Sequence, residues 1–579
     1  MERSTPSPTP AVAPVCEWRS SPCWSRLYVA DDDDRTTPPP PDSKWLTRIL
    51  WLRGEDLIEV VGLDAYFYLR FLRFAIVYFG ILTAIFCPIL IPYNMSAAQV
   101  QARDQTRPLD AFHFTELTIG NIRNSSGALW LHIVFAYLQA ALLIVLLARE
   151  CQRYAAASAR HHLGVTLTLQ VECLPVDLRK DAAFARFVRD VAADDAVVRA
   201  RVVRTPKGAA SQVGFVTLES VGAAARLMSA ISVRRPQVRA MRAPLPDDLI
   251  WENVVWPRRA VLARRSASAL LVCVVIAFWT VPMTAIASLE LLLPSFASAW
   301  QPLLEGVLPA WSFLLLLTLT PRVLARLSQH EVHATHSARH VSVFEKFTWV
   351  LFFDFFLFGI LSRGLIQTLV KTAAHLSYLQ EAIAATIPEQ STSVIIYLLS
   401  FTCITLPLVD LNQILATIVF LFKRFESPGT LPLFSYGEYY SYQVLHILMG
   451  YTYATIAPLM LPFVLLYFVI SAGVSKIQFC YVYGRREGCA TLYPIVVGRT
   501  IGTAMAGCAI LMSIMISKSA TVQALSLAPI LVVLPFAHFQ LRKQCQRPPN
   551  IEVEAAFNDG SEYRPPWQNK TKLRSSHSV

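Results

Sequence analysis

YTYATIAPLMLPFVLLYF, residues 451–468, decides how the second half of the chain is folded. It is apolar enough for a bilayer, yet Pro458 and Pro462 stand in its middle. As one kinked helix, the roughly forty apolar residues here would reach ~60 Å at 1.5 Å per residue, twice the hydrocarbon core. As two helices, each arm fits a bilayer. Flanking charge favours two. Lys423 and Arg424 precede the stretch and Arg485 and Arg486 follow it, and Lys and Arg collect on the cytosolic side of membrane helices. The chain must then go out and return. APLMLP, with Pro458 and Pro462, is expected to be a corner at the outer surface.

The rest of the chain has the same character. Of 579 residues, 54% are hydrophobic and only 16% charged, with mean hydropathy +0.43. Soluble domains carry about a quarter charged residues, so the composition points to a polytopic membrane protein. Ten spans are expected, near 71–93, 128–148, 267–293, 303–327, 347–372, 392–422, 439–457, 462–483, 492–516 and 524–541. Residues 1–44, with DDDDRTTPPPPD, read as a disordered N-terminal segment. Residues 45–148 hold the first two spans and an outer loop, 94–127. Residues 266–541 form an eight-helix membrane core containing the pore, and 542–579 a cytosolic tail. The 11 cysteines are scattered, with no metal-type pairing.

Segment 149–265 carries about twenty Lys and Arg and is expected in the cytosol. Ten spans then place both termini there. The sequons at Asn94 and Asn124 fall in the outer loop, as glycosylation requires. Within 149–265 the hydrophobic period alternates between two and 3.6. Strands are expected at 166–175, 197–203 and 214–220, with helices at 181–191 and 221–231. That order is ferredoxin-like, as in RNA-recognition modules. The third strand lacks base-stacking aromatics, so nucleic acid is not an expected partner. The net charge of +12 reflects topology or contact with anionic headgroups instead.

Several stretches together resemble the OSCA-type calcium-permeable stress-gated cation channels, a family with an anoctamin-like core. They include GLDAYFYLRFLRF (62–74), PLPDDLIWENV (244–254), EGVLPAWSFLLLLTLTPRVLARLSQHE (305–331), EKFTWVLFFDFFLFGIL (345–361), FSYGEYYSY (434–442) and residues 451–468. The resemblance covers roughly residues 45 to 545. It implies a mechanically or osmotically gated, non-selective cation channel in a plasma membrane or endomembrane, acting as a homodimer or a monomer. Each subunit would hold a pore lined by the third to seventh spans and pass Ca, K and Na. It also implies an eleventh, N-terminal span and a longer cytosolic domain than 149–265 provides.

Charges inside a bilayer face a cavity or a partner. Asp354, in LFFDFFLF, and Asp410, in TLPLVDLNQI, are the candidates. On the resemblance, Asp410 stands where the family commonly has a pore-lining glutamate, and Asp354 where asparagine is common. A carboxylate there concentrates cations; a structural ion pair is the competing reading. Gln413 and Gln367 extend the polar path. Pro407 removes a helix hydrogen bond three residues before Asp410 and is the expected gating hinge, against a fixed kink. His330, His333, His336 and His340 offer a metal or pH site, or an ordinary polar link; the link is preferred and no metal is assigned. No Walker loop, HExxH or GxSxG motif occurs, so no enzyme and no cofactor are expected. Lipid scrambling and secondary transport remain alternatives to a channel; membrane lipids are partners in any case.

Overall fold

The structure, a computed structural model, describes residues 54–96, 117–122, 127–160, 168–192, 197–205, 208–219, 221–292, 308–361, 388, 391–403, 406, 433–484 and 490–546. A short helix α1 (Glu55–Val61) leads into α2 (Leu63–Ser96) and α3 (Leu129–Arg160). An α/β unit follows: β1 (Thr168–Glu172), α4 (Asp181–Ala192), β2 (Val197–Arg204), β3 (Ala210–Leu218), α5 (Val221–Arg234) and β4 (Arg239–Arg242). A one-turn helix α6 (Trp251–Val254) leads to α7 (Arg258–Leu292), α8 (Leu308–Gln329), α9 (His336–Leu361) and α10 (Ser391–Ser400). The described residues end with α11 (Tyr436–Ile456), α12 (Met460–Tyr481), α13 (Tyr493–Ser517), α14 (Thr521–Ser526) and α15 (Ala528–Gln546).

Among the described residues, six helical stretches are long and apolar enough to cross a membrane: α2, α3, the first part of α7, α12, α13 and Thr521–Cys545. The protein is a helical, multi-pass integral membrane protein. Each of the ten apolar stretches read from the sequence has a helix on it, wholly or in part.

The break at residues 457–459 is real. α11 ends at Ile456 and α12 starts at Met460. Pro458 has no N–H to extend α11, and its carbonyl starts the next helix by accepting from the Leu461 N–H at 3.1 Å. The corner is narrower than the sequence suggested. Pro462 lies inside the first turn of α12, where a missing N–H costs nothing because first-turn N–H groups have no intrahelical partner. Pro458 is buried, and the Cys87 thiol of α2 reaches its carbonyl at 3.3 Å.

α11 is the axis of the bundle. It is buried without interruption from Tyr440 to Ile456, and a helix enclosed all round is a core helix. Its Gln443 ties three helices together, donating to Tyr68 at 2.9 Å and accepting from Tyr467 at 3.1 Å. On α2, Arg70 makes a bidentate pair with the buried Glu150 of α3, one arm at 3.0 Å. A lone buried charge would be costly, and the fork geometry satisfies both carboxylate oxygens.

The α/β unit forms one sheet in spatial order β2-β3-β1-β4, every neighbour antiparallel. Leu169, Val171, Val202 and Val216 bury one face against Phe184, Val188 and Leu227 of the two helices. β4 is an addition to the strands read from sequence: RAMR is too short and too basic for a hydrophobic pattern to mark it. The opposite face carries Val203, Val213 and Phe215, and α6 with its flanks covers it. Trp251 meets Phe215 edge-on at 5.8 Å.

Candidate functional site

The link between α8 and α9 gathers a set of interacting polar groups around one buried carboxylate. Glu331, 2% exposed, pairs with Lys346 of α9. Its other oxygen accepts from Ser342 at 2.7 Å and meets His333 Nε2 at 2.9 Å. Lys346 also donates to Ser268 of α7 at 3.0 Å. Arg265 of α7 reaches His333 Nδ1 at 3.3 Å. One carboxylate therefore holds the same ends of α7, α8 and α9 together.

The hydrogen bonds fix the histidine's state. Arginine only donates, so Nδ1 accepts and the proton sits on Nε2, which donates to Glu331. His333 is neutral. Burial, then the Arg265 and Arg339 guanidiniums, push it down to about 4. Its folded value lies below the unfolded one, so the native state binds fewer protons. The stability this supplies is whole above about pH 6.5 and is lost as pH falls through about 4. The unfolding temperature of the purified protein is expected to fall more steeply across that window than that of His333→Gln. Equal slopes would remove His333 as the titrating group.

The backbone between these side chains is strained. Val332 has φ of 59°, a left-handed conformation that a β-branched residue rarely adopts. Such a residue costs on the order of 1–3 kcal/mol and persists where its surroundings over-determine it. Here Glu331 and His333, on either side, are both held. The segment leaving the sheet adds further ties. Ile250 N–H donates to Ala334 O at 2.8 Å, Asn253 donates to His333 O at 2.8 Å, and Ser337 N–H donates to Asp248 at 2.9 Å. The α/β unit is thus stitched to the ends of α7, α8 and α9.

Beside this knot lies a cavity of about 220 Å³, lined by Asp64, Asp248, Gln329, Arg339, Tyr436 and Tyr440 among others. The four histidines do not converge. His333 lies before α9, so it does not share a helical face with His336 and His340 as a continuous helix would allow. His336 Nδ1 accepts from Arg339 at 3.0 Å, and His340 packs edge-on against Tyr436. Among the described residues no cluster could hold a metal.

Other sequence candidates fare differently. Asp410, Gln413, Gln367, Pro407 and Asn124 lie outside the described residues. Asp354 lies on α9, its side chain outside the described set. Asn94, the other sequon asparagine, is described: its side chain is buried and its amide donates to Leu117 O at 2.9 Å. A π-helical turn at Phe401–Cys403 and Leu406 follows α10; such turns recur at functional sites. Sequence reading missed Glu331. Its signal was a lone carboxylate between a basic helix end and a histidine-rich link.

Buried polar ties between helices, with a separate α/β unit fastened to their ends, define a polytopic membrane protein whose bundle is mechanically joined to a peripheral domain. Two family models match the chain. "Late exocytosis, associated with Golgi transport" matches residues 24–150, and "Calcium-dependent channel, 7TM region, putative phosphate" matches 264–517. Together they cover about two thirds of it, and the chain belongs to the OSCA/TMEM63 family. It is 25% identical over 360 residues to the hyperosmolality-gated Ca2+ permeable channel 1.8 of Arabidopsis thaliana, across 58% of this chain and 44% of the relative. It is 28% identical over 145 residues to the mechanosensitive cation channel TMEM63A of Mus musculus, 25% of this chain and 16% of the relative. It is also 29% identical over 160 residues to the vacuolar transmembrane transporter penV of Penicillium rubens, 25% of this chain and 19% of the relative. The chain spans less than half the length of these curated relatives.

Proposed function

We propose that the protein is a mechanically or osmotically gated, non-selective cation channel permeable to calcium. The observation that carries this is the match of residues 264–517 to a calcium-dependent channel region, together with relatives named as osmotically or mechanically gated cation channels. In this reading the pore runs within each subunit, lined by the third to seventh spans, with Asp410 and Asp354 drawing cations and Pro407 as hinge. Ten spans place the α/β unit, ferredoxin-like by its strand order, and both termini in the cytosol. The 457–459 corner then lies at the outer surface. α11 is ~30 Å long at 1.5 Å per residue, so a helix starting beside His340 at the domain end reaches the opposite end at the corner. Membrane tension would do work on the bundle through an open state of larger area. The knot at Glu331 would couple the α/β unit to the pore helices. A homodimer or a monomer fits equally, and the host membrane is a plasma membrane or an endomembrane.

Pressure-clamp recording of the purified protein in liposomes tests this. Stretch-activated cation currents are expected, and Asp410→Lys should lower unitary cation conductance several-fold. Absence of stretch currents with lipid controls intact would overturn the channel reading. Uphill solute accumulation instead would favour the transporter reading that similarity to penV raises.

A further inference from the structure

Where α7 starts, its surface is basic, aromatic and uncovered. Arg259, Arg264 and Arg265 are all exposed. Trp256, 40% exposed, lies under the Arg264 guanidinium at 4.4 Å. That stacking holds one cation over an aromatic face at the mouth of a candidate span beginning at Arg259. Arg264 and Arg265 donate to neutral acceptors, His330 O at 3.5 Å and His333 Nδ1 at 3.3 Å. Among the described residues no carboxylate ion pair reaches any of the three arginines. Their charge is therefore concentrated within two turns and not neutralised.

The same helix supplies the apolar half of an amphiphile site. Leu262 opens an apolar stripe that Leu270, Val274 and Phe278 continue in steps of four, drifting round the helix by about 40° per step. They are 65%, 69%, 53% and 65% exposed. Residues 259–278 form the least covered of the candidate spans, 11% buried. A soluble anion would use the arginines and leave this stripe idle. A phospholipid would use both, its phosphate between the guanidiniums and its acyl chain along the stripe. A zwitterionic headgroup brings no net charge to the basic cluster; an anionic one brings a net negative charge that the arginines attract.

We propose that the start of α7 binds the headgroup of an anionic phospholipid through Arg259, Arg264 and Arg265, with Trp256 at the interface and an acyl chain against Leu262, Leu270 and Val274. The site has a consequence that rests on the channel reading. Arg265 is shared with His333, so a bound headgroup competes with the knot for one guanidinium and makes its tightness depend on lipid charge.

The binding itself is tested without any current. The full chain is reconstituted in phosphatidylcholine vesicles containing a minority of phosphatidylserine. Either lipid is supplied as a photoactivatable analogue, and labelled peptides are mapped by mass spectrometry. The serine probe is expected to label residues 256–278 several-fold more than the choline probe. The double variant Arg259→Gln/Arg264→Gln should cut that labelling roughly tenfold, while the Arg→Lys pair keeps most of it. Labelling of α15 by the choline probe, unchanged in all variants, reports that the protein is folded. Equal labelling by both probes, or labelling indifferent to the Gln variants, overturns the proposal. So does loss of labelling with millimolar inorganic phosphate at constant ionic strength, which would assign a soluble anion instead.

Discussion

Glu331→Gln is expected to destabilise the protein by about 3 kcal/mol or more, seen as a lowered unfolding temperature in detergent. Glutamine keeps the volume and can still bond Ser342 and His333. What it removes is the charge opposite Lys346, whose side chain is only 14% exposed. Removing one partner of a buried ion pair leaves the other without compensation, at a cost of roughly 3–5 kcal/mol. Lys346→Met alone should cost a comparable amount, because it strands the carboxylate. The double variant should cost much less than the sum of the two, with a coupling on the order of 1–3 kcal/mol. Additive losses would show that the pair acts through separate partners. Under the channel reading, the variant also loosens the join of α7, α8 and α9 to the α/β unit. The pressure for half-activation is expected to shift, and an unshifted threshold would detach the knot from gating.

Some of this architecture was legible in the sequence because it follows from length and charge. Two apolar arms of bilayer length between basic flanks admit a helical hairpin, and the chain breaks at residues 457–459. Periodicity marked α4 and α5, whose Phe184, Val188 and Leu227 do face the sheet. It did not mark β4, whose two arginines, three positions apart, fall on opposite faces and leave no alternation, so that pairing with β1 does the work. The knot was illegible for another reason. Glu331 and Lys346 are fifteen positions apart in separate elements, and Arg265 comes from a third. Only tertiary packing turns a polar link into a buried ion pair. Asn94 shows the same limit: its sequon is plain in the sequence, but its bond to Leu117 O is a tertiary contact that no local pattern announces.

Gly437→Ala should be as damaging, through shape and not charge. A Cβ at Gly437 would collide with the His340 carbonyl oxygen and lie 3.2 Å from Phe344 N. Both neighbours are backbone of α9, so no rotamer change relieves the clash. One turn on, the Ser441 hydroxyl shares its proton between Gly437 O at 2.9 Å and Phe344 O of α9 at 3.2 Å and sits 3.1 Å from Thr348 Oγ1. Gly437 and Ser441 are thus a small-residue pair at i and i+4 that lets α9 and α11 approach closely, a contact that packing and interhelical hydrogen bonds sustain in lipid. A methyl group must push the helices apart and stretch both serine contacts to α9. Overpacking costs about 1–3 kcal/mol, and weakened hydrogen bonds add to it. The control has the opposite sign. Gly502, mid-way along α13, has nothing within 4 Å of an added Cβ. Gly502→Ala should therefore raise stability by up to about 1 kcal/mol through helix propensity alone. Unfolding temperatures of the two variants, measured side by side in one detergent, separate these effects. If Gly437→Ala also stabilises, the close approach of α9 and α11 is not what holds this end of the bundle.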